Sequence, residues 1–186
     1  MSSLRGLRRT LVVPHAVRGR ERRALLVAAG AGAGGAIAAR ALFARVLLWQ
    51  FRRDLRALNR GDYEPVLSHY AEDALLRFNT GAHRWSGEHS GKPAVARFLR
   101  NFVHAGLEGQ IEEVFFAGPP WRLRIAARAR DHALDAVGTE LYRNHVILLA
   151  RTRWGRIVLH DDFYEDTQRI EAFERRLAER GVAPVD

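Results

Sequence analysis

Phe43, Leu47, Phe51, Leu55 and Leu58 recur at the three- to four-residue spacing of one helix face. They predict a helix from about Ala41 to Asn59, with Arg45, Arg52, Arg53 and Arg56 falling largely outside the apolar stripe. Asn59-Arg60-Gly61-Asp62 ends it, with Gly61 as the breaker. Asp62, Glu64 and Pro65 then stand in the order of a cap, an early acid and an early proline. The second helix so predicted carries Val66, Leu67 and Tyr70 and ends near Glu72-Asp73. "ALLRFN" reads as a short strand, and "TGAHRWSGEHSG" as a glycine-rich loop or loose hairpin. Lys92-Pro93 opens a third helix with Val95, Phe98, Leu99, Phe102 and Val103 as its apolar stripe.

Beyond Gly106 the period changes from helical to alternating. "QIEEVFFAG" reads as a strand, with Pro119-Pro120 as the turn after it. "WRLRIAARA" sets Trp121, Leu123, Ile125 and Ala127 against Arg122, Arg124 and Arg128, which form a charged, solvated or dimer-facing side. "LYRNHVILLART" and "RIVLHDDFYED" form a hairpin about Trp154-Gly155. A closing helix follows, with Ile170, Phe173 and Leu177 on one side. Helices segregated from a run of antiparallel strands mean an α+β class. The architecture expected is cone-shaped: a curved antiparallel or mixed sheet wrapped on three N-terminal helices, plus a short C-terminal helix. Its open mouth suits a small ligand.

Charge changes the picture of the N-terminus more than of the body. The chain carries a net +9, yet residues 1–60 hold 13 Arg against 2 acidic residues, while residues 61–186 hold 17 Lys and Arg against 19 acids. The basicity thus belongs to the tail, and no nucleic-acid partner is expected. Residues 1–40 form a leader. Arginine pairs at Arg8-Arg9 and Arg22-Arg23 precede an uncharged, Gly- and Ala-rich stretch from Ala24 to Ala39. That layout suits an export signal, a membrane anchor continuing to Leu48, or a disordered tail. Residues 41–180 form the folded domain and 181–186 a tail. The protein is membrane-anchored or exported if residues 24–48 insert, and otherwise cytoplasmic. With no Cys, disulfides and thiolate chemistry are excluded. The eight His are scattered and no glycine-rich phosphate loop follows a strand, so neither metal nor cofactor is expected.

Three segments carry a family resemblance. "ALNRGDYEPVLSHYAEDALLRF" resembles the opening of SnoaL-like domains of the nuclear transport factor 2-like superfamily, "SGEHSGKPAVARFLRNF" their third-helix segment, and "LYRNHVILLARTRWGRIVLHDDFYEDTQ" their last two strands. The resemblance covers about residues 42–180. It implies a cone that binds a small, largely apolar ligand, with activities in the superfamily ranging over polyketide cyclases, isomerases, epoxide hydrolases and dehydratases. In enzymes of that family an acid in the cone acts as general base, and Tyr, His, Asn or a second acid supports the oxyanion.

On that basis the catalytic candidates are Asp162, Asp166, His160, Tyr164 and Asn144. Asp166 matches the strand-end acid most readily, although it also stands where a helix N-cap belongs. Asp162 shares its face with His160 and Tyr164. Asn144 and His145 point opposite ways, so at most one enters the cone. Tyr142 and Tyr164 offer hydroxyl donors. Tyr70, Phe78, Phe102 and Trp121 are expected as core or pocket wall, with Trp85 and His89 at a lid or mouth before the third helix. The function expected is cofactor-free acid–base chemistry of the isomerase, cyclase or hydratase type. The alternative is a non-catalytic ligand-binding, dimerisation or protein-interaction module. A homodimer is expected in either case.

Overall fold

Gly61 stops the first helix where the residue pattern places the stop. Its φ of 94° is a left-handed geometry that glycine adopts without a Cβ clash. The computed structural model describes the backbone of residues 19–186, and the side chains at position 35 and from 38 onward. Helix α1 spans Gly19–Leu58, beginning well before the expected Ala41. The first 18 residues of the leader lie outside the described residues, as do most of the side chains of the rest of it. Among the described residues no helix is long and apolar enough to cross a membrane. The chain divides between Phe43 and Ala44, and Ala44–Asp186 forms the unit that carries the sheet.

The second helix is a correction. α2 is a single turn, Glu64–Leu67, and the chain then enters strand β1, Tyr70–Phe78. Tyr70 therefore lies on a strand. The cause is tertiary: the backbone N–H of Ile157 donates to the His69 carbonyl at 2.8 Å, and Tyr70 pairs with Ile157 in the sheet. A pairing with residues far along the chain outweighs a weak local helix signal. Buried Asp54 on α1 reinforces the entry into β1, because its carboxylate takes His69 Nε2 at 2.7 Å.

Strand β2 (Gly87–Ser90) pairs antiparallel with β1, so the expected loose hairpin forms. Helix α3, Lys92–His104, buries Val95, Phe98, Leu99 and Phe102, the stripe expected of it. Strands β3 (Glu108–Ala117), β4 (Arg124–Leu134), β5 (Glu140–Arg153) and β6 (Arg156–Tyr164) follow, and α4 (Thr167–Glu179) closes the fold. The sheet order is β2-β1-β6-β5-β4-β3. Only the β1–β6 pair is parallel, so the sheet is mixed. The class is α+β, as expected. The β5–β6 turn uses Trp154 at φ 51° and Gly155 at φ 77°, the double left-handed geometry of a two-residue hairpin.

Trp121 is the second correction. Expected as core or pocket wall, it lies in a short 3₁₀ turn, Pro120–Arg122, and is 54% exposed. Pro119-Pro120 bends the chain before β4 begins. The turn then closes so tightly that a Cβ at Gly118 would meet the Arg122 carbonyl oxygen at 2.7 Å. The Trp121 backbone accepts from Trp154 N at 2.9 Å, while its ring stays outside. β4 instead runs on to Leu134, and its inner face reads Ala127, Ala129, Asp131, Ala133, all buried.

Candidate functional site

The inner face of the sheet collects the polar side chains, and strand register says which of them meet. Across β4, β5 and β6 the pairs are Asp131 with Asn144, Leu148 with Asp162, and Ala150 with His160. Val146 pairs with Tyr164 one step along. Side chains two residues apart on a strand share a face. Asp162, Tyr164 and His160 therefore stand in the same row as Asp131 and Asn144. Around them the strands carry short side chains: Ala127, Ala129, Ala133 and Ala150.

Two hydrogen-bonded groups form this row. In the first, the Tyr70 hydroxyl lies 2.5 Å from His160 Nδ1, and His160 Nε2 lies 2.8 Å from Asp162 Oδ1. Burial, then the charge of Asp162, push the Tyr70 hydroxyl far above its ordinary range. Tyr70 therefore keeps its proton and donates to Nδ1. Nε2 then carries the ring hydrogen and donates to the Asp162 carboxylate. His160 is thus oriented from both sides.

In the second group, the Tyr164 hydroxyl donates to Asp131 Oδ2. Burial raises the Asp131 carboxyl to about 7; the Tyr164 hydrogen bond works against that rise and the nearby charge of Asp162 adds to it. Asp131 is 5% exposed. Tyr164 and Tyr142 are both held far from ionising, first by burial and then by the adjacent Asp131 charge. Both stay neutral donors.

A cleft of about 200 Å³ lies beside this group, lined by Arg52, Leu55 and Arg56 of α1 and by Gly109, Gln110 and Ile111 of β3. Gly109 pairs with Asp131 in the β3–β4 register. A Cβ at Gly109 would stand 3.1 Å from Leu55 Cδ1 and 3.4 Å from Asp131 Oδ1. The Asn59 side chain clamps Gly109, donating to its carbonyl at 2.9 Å and accepting its N–H at 3.0 Å. Gly109, with Leu55 packed over it, is therefore what stands between the cleft and the acid.

This arrangement sorts the expected site residues. His160, Asp162, Tyr164, Tyr70 and Tyr142 come together. Asn144 is on the inner face and 0% exposed, but its amide donates to the Asp166 carbonyl at 2.7 Å and accepts His145 N at 3.0 Å. Its polar atoms serve the junction of β5 with α4. Asp166 stands outside the group: it is the N-cap of α4, accepting from Gln168 N at 3.0 Å and Arg169 N at 3.2 Å. Phe78 packs on Tyr164, with ring centres 4.9 Å apart, and Phe102 belongs to the core.

Trp85 and His89 were expected at a mouth, and both are wall instead. Trp85 is 2% exposed and lies parallel to Phe173 with ring centres 6.2 Å apart. His89 meets Phe98 edge-on and reaches the Trp85 carbonyl at 3.0 Å. A buried ion pair fastens this loop, since Arg84 Nε meets Glu174 at 2.8 Å.

Asp131 is absent from the candidates drawn from the sequence. Its signal was present, as one acid in an alternating row of alanines past Ala127, but the predicted strand stopped short of it. Among the described residues no three His, Asp or Glu side chains gather as a metal-binding group.

Residues 51–160 match the SnoaL-like domain family. The chain belongs to that family. Among curated proteins, none matches it. Solved structures agree on the fold of this SnoaL-like domain. Bal32a, from a soil-derived mobile gene cassette, is 21% identical with a TM-score of 0.54, over 69% of this chain and 95% of its own. An NTF2-like protein of unknown function from Burkholderia pseudomallei is 20% identical with a TM-score of 0.52, over 68% of this chain and 95% of its own. TerC, co-crystallised with polyporic acid, is 16% identical with a TM-score of 0.52, over 68% of this chain and 97% of its own. At these identities the likeness concerns the fold.

Proposed function

We propose that this SnoaL-like domain binds a small, largely apolar molecule against the inner face of its sheet and performs cofactor-free acid–base chemistry on it. Isomerisation, cyclisation and hydration are the reaction types that fit. The buried pairing of Asp131 with Tyr164 carries the reading. A carboxyl raised to about 7 is poised to take and return a proton near neutral pH. Once ionised, it removes a proton beside a carbonyl or from a water. Tyr142 remains protonated and supplies a hydrogen bond to the oxyanion that develops, joined by Tyr164 once the Asp131 carboxylate it donates to has taken the proton. The role of base, expected at Asp162 or Asp166, moves to Asp131. Asp162 is held by His160, where its charge raises Asp131, and Asp166 is occupied as a helix cap. Family membership supports ligand binding or cyclase-type chemistry in general terms, and the TerC structure with polyporic acid supports a small organic ligand.

The test is a carbon-detected NMR titration of the Asp131 carboxyl in the full chain. A midpoint near 7 is expected, with a shift when a carbonyl-bearing apolar ligand is added. A midpoint in the ordinary carboxylate range would end the proposal.

The expected homodimer fits the outer face. Phe115, Ile147, Leu149 and Phe163 are exposed there, among paired charges such as Arg128 with Glu112 and His145 with Glu165. An apolar centre with both signs of charge around it is self-complementary across a twofold axis. Light scattering should give twice the chain mass for the native protein and the single mass for Ile147→Glu with Phe163→Glu. A monomer at all concentrations would remove the dimer.

A further inference from the structure

We infer that the cleft between α1 and β3 is the entrance to the Asp131 site, and that Arg52 and Arg56 select a substrate bearing an anionic carboxylate. This inference rests on the acid–base reading of Asp131 and adds the substrate class: a small organic acid, held at its carboxylate end and presenting its reactive end past Gly109.

Three observations lead there. First, Arg52 and Arg56 are four residues apart on a helix and so share one face; both line the cleft. Neither forms an ion pair with any described residue, although two of the three acids of the neighbouring strand are engaged. Glu108 faces His132 at 3.8 Å and Glu112 faces Arg128 at 3.2 Å. Two unpaired guanidiniums in a concave site form a planar, multi-donor match for a carboxylate. Second, the cleft abuts the acid. Asp131 Oδ2 is engaged by Tyr164, whereas Oδ1 lies toward Gly109, 3.4 Å from where a Cβ would be. Asn59 fixes that glycine through both backbone groups, and Leu55 packs over it, so a shift of the Leu55 side chain is what opens the cleft to the acid. Third, the size is restrictive. About 200 Å³ is smaller than the roughly 300–1,000 Å³ of pockets for drug-sized ligands, and suits one ring or a short chain with a head group.

Benzoate and benzamide separate charge from shape, because they share a ring and differ at the head group. Titrated into the full chain, benzoate should shift the NMR resonances of Gly109 and Asp131 saturably. Benzamide should bind roughly tenfold more weakly or worse, the scale of a charge-assisted hydrogen bond. The double variant Arg52→Glu, Arg56→Glu should lose benzoate by at least that factor, with an unchanged melting temperature because both side chains are exposed. Gly109→Ala, whose Cβ would press on Leu55 at 3.1 Å and on Asp131 Oδ1 at 3.4 Å, should weaken the Asp131 response by blocking the approach to the acid. Equal binding of the two probes, an unaffected double variant, or no saturable benzoate response at Gly109 would each overturn the inference. The two proposals fail separately. An Asp131 titrating near 7 with benzoate indifferent to the arginines removes only the substrate class. Charge-selective benzoate binding beside an ordinary Asp131 removes only the acid–base role.

Discussion

Asp131→Asn should make the protein more stable at pH 8 and no more stable at pH 4. The folded state raises this carboxyl from 3.8 to about 7. Below about pH 4 the folded and unfolded chains both hold the proton, so the site adds no pH dependence. Between about 4 and 7 the unfolded chain releases the proton while the folded chain keeps it, so stability falls as pH rises. Above 7 the folded protein carries a buried charge and the whole penalty is in place. A shift of about three units corresponds to as much as ~4 kcal/mol at ~1.4 kcal/mol per unit. Asparagine removes the charge and still offers Tyr164 an acceptor oxygen. For a chain of this length each kcal/mol moves the melting temperature by about 2–4 °C. Thermal melts of both proteins at pH 4, 6 and 8 measure the effect. A difference that is the same at pH 4 and pH 8 would contradict a buried, raised carboxyl. The same variant should lose acid–base activity, because a site tuned for proton transfer is held at the expense of stability.

Trp85→Ala should cost about 3–5 kcal/mol, the range for emptying a buried aromatic site. Trp85 sits between Phe173 and the Arg84 guanidinium, which lies 5.6 Å from its ring centre. Removing it also loosens the layer in which Tyr142 stacks on Phe173, 4.8 Å between ring centres. The loss is a large share of the roughly 5–15 kcal/mol that holds a domain folded. Its indole N–H has no hydrogen-bond partner among the described residues, so Trp85→Phe should be much milder. Urea unfolding should show the midpoint of the alanine variant falling with little change in slope. Unchanged stability would instead return Trp85 to the role of a mobile lid.

The elements legible in the sequence are those whose signals are local. Helix α3 opens at Lys92-Pro93 and α4 follows Asp166 because prolines and caps act within one turn. The β5–β6 hairpin is written at Trp154-Gly155, and the inner row His160, Asp162, Tyr164 follows from alternation within one strand. Where contacts from afar compete, the local signal fails. Residues 68–73 carry a weak helix signature, yet β6 claims the backbone of His69 and Tyr70. Trp121 fits the alternation of β4, yet Pro119-Pro120 lifts it out of the strand. Trp85 resembles a loop residue until α4 folds over it.

By itself the sequence determined the α+β class, the family, and the face on which the histidine, acid and tyrosine of β6 lie. Helix caps, turn residues and strand alternation are properties of neighbours in the chain, and they survive without knowledge of the rest. Only the tertiary structure decided which acid is desolvated. That outcome depends on the register joining Gly109, Asp131 and Asn144 across three strands, and on α1 closing over the edge of β3. Whether a carboxyl is buried, which charge lies beside it and what cleft reaches it are set by groups from distant parts of the chain. Asp131, Asp162 and Asp166 are the same residue type, and their surroundings alone make one a raised acid, one a partner of histidine and one a helix cap.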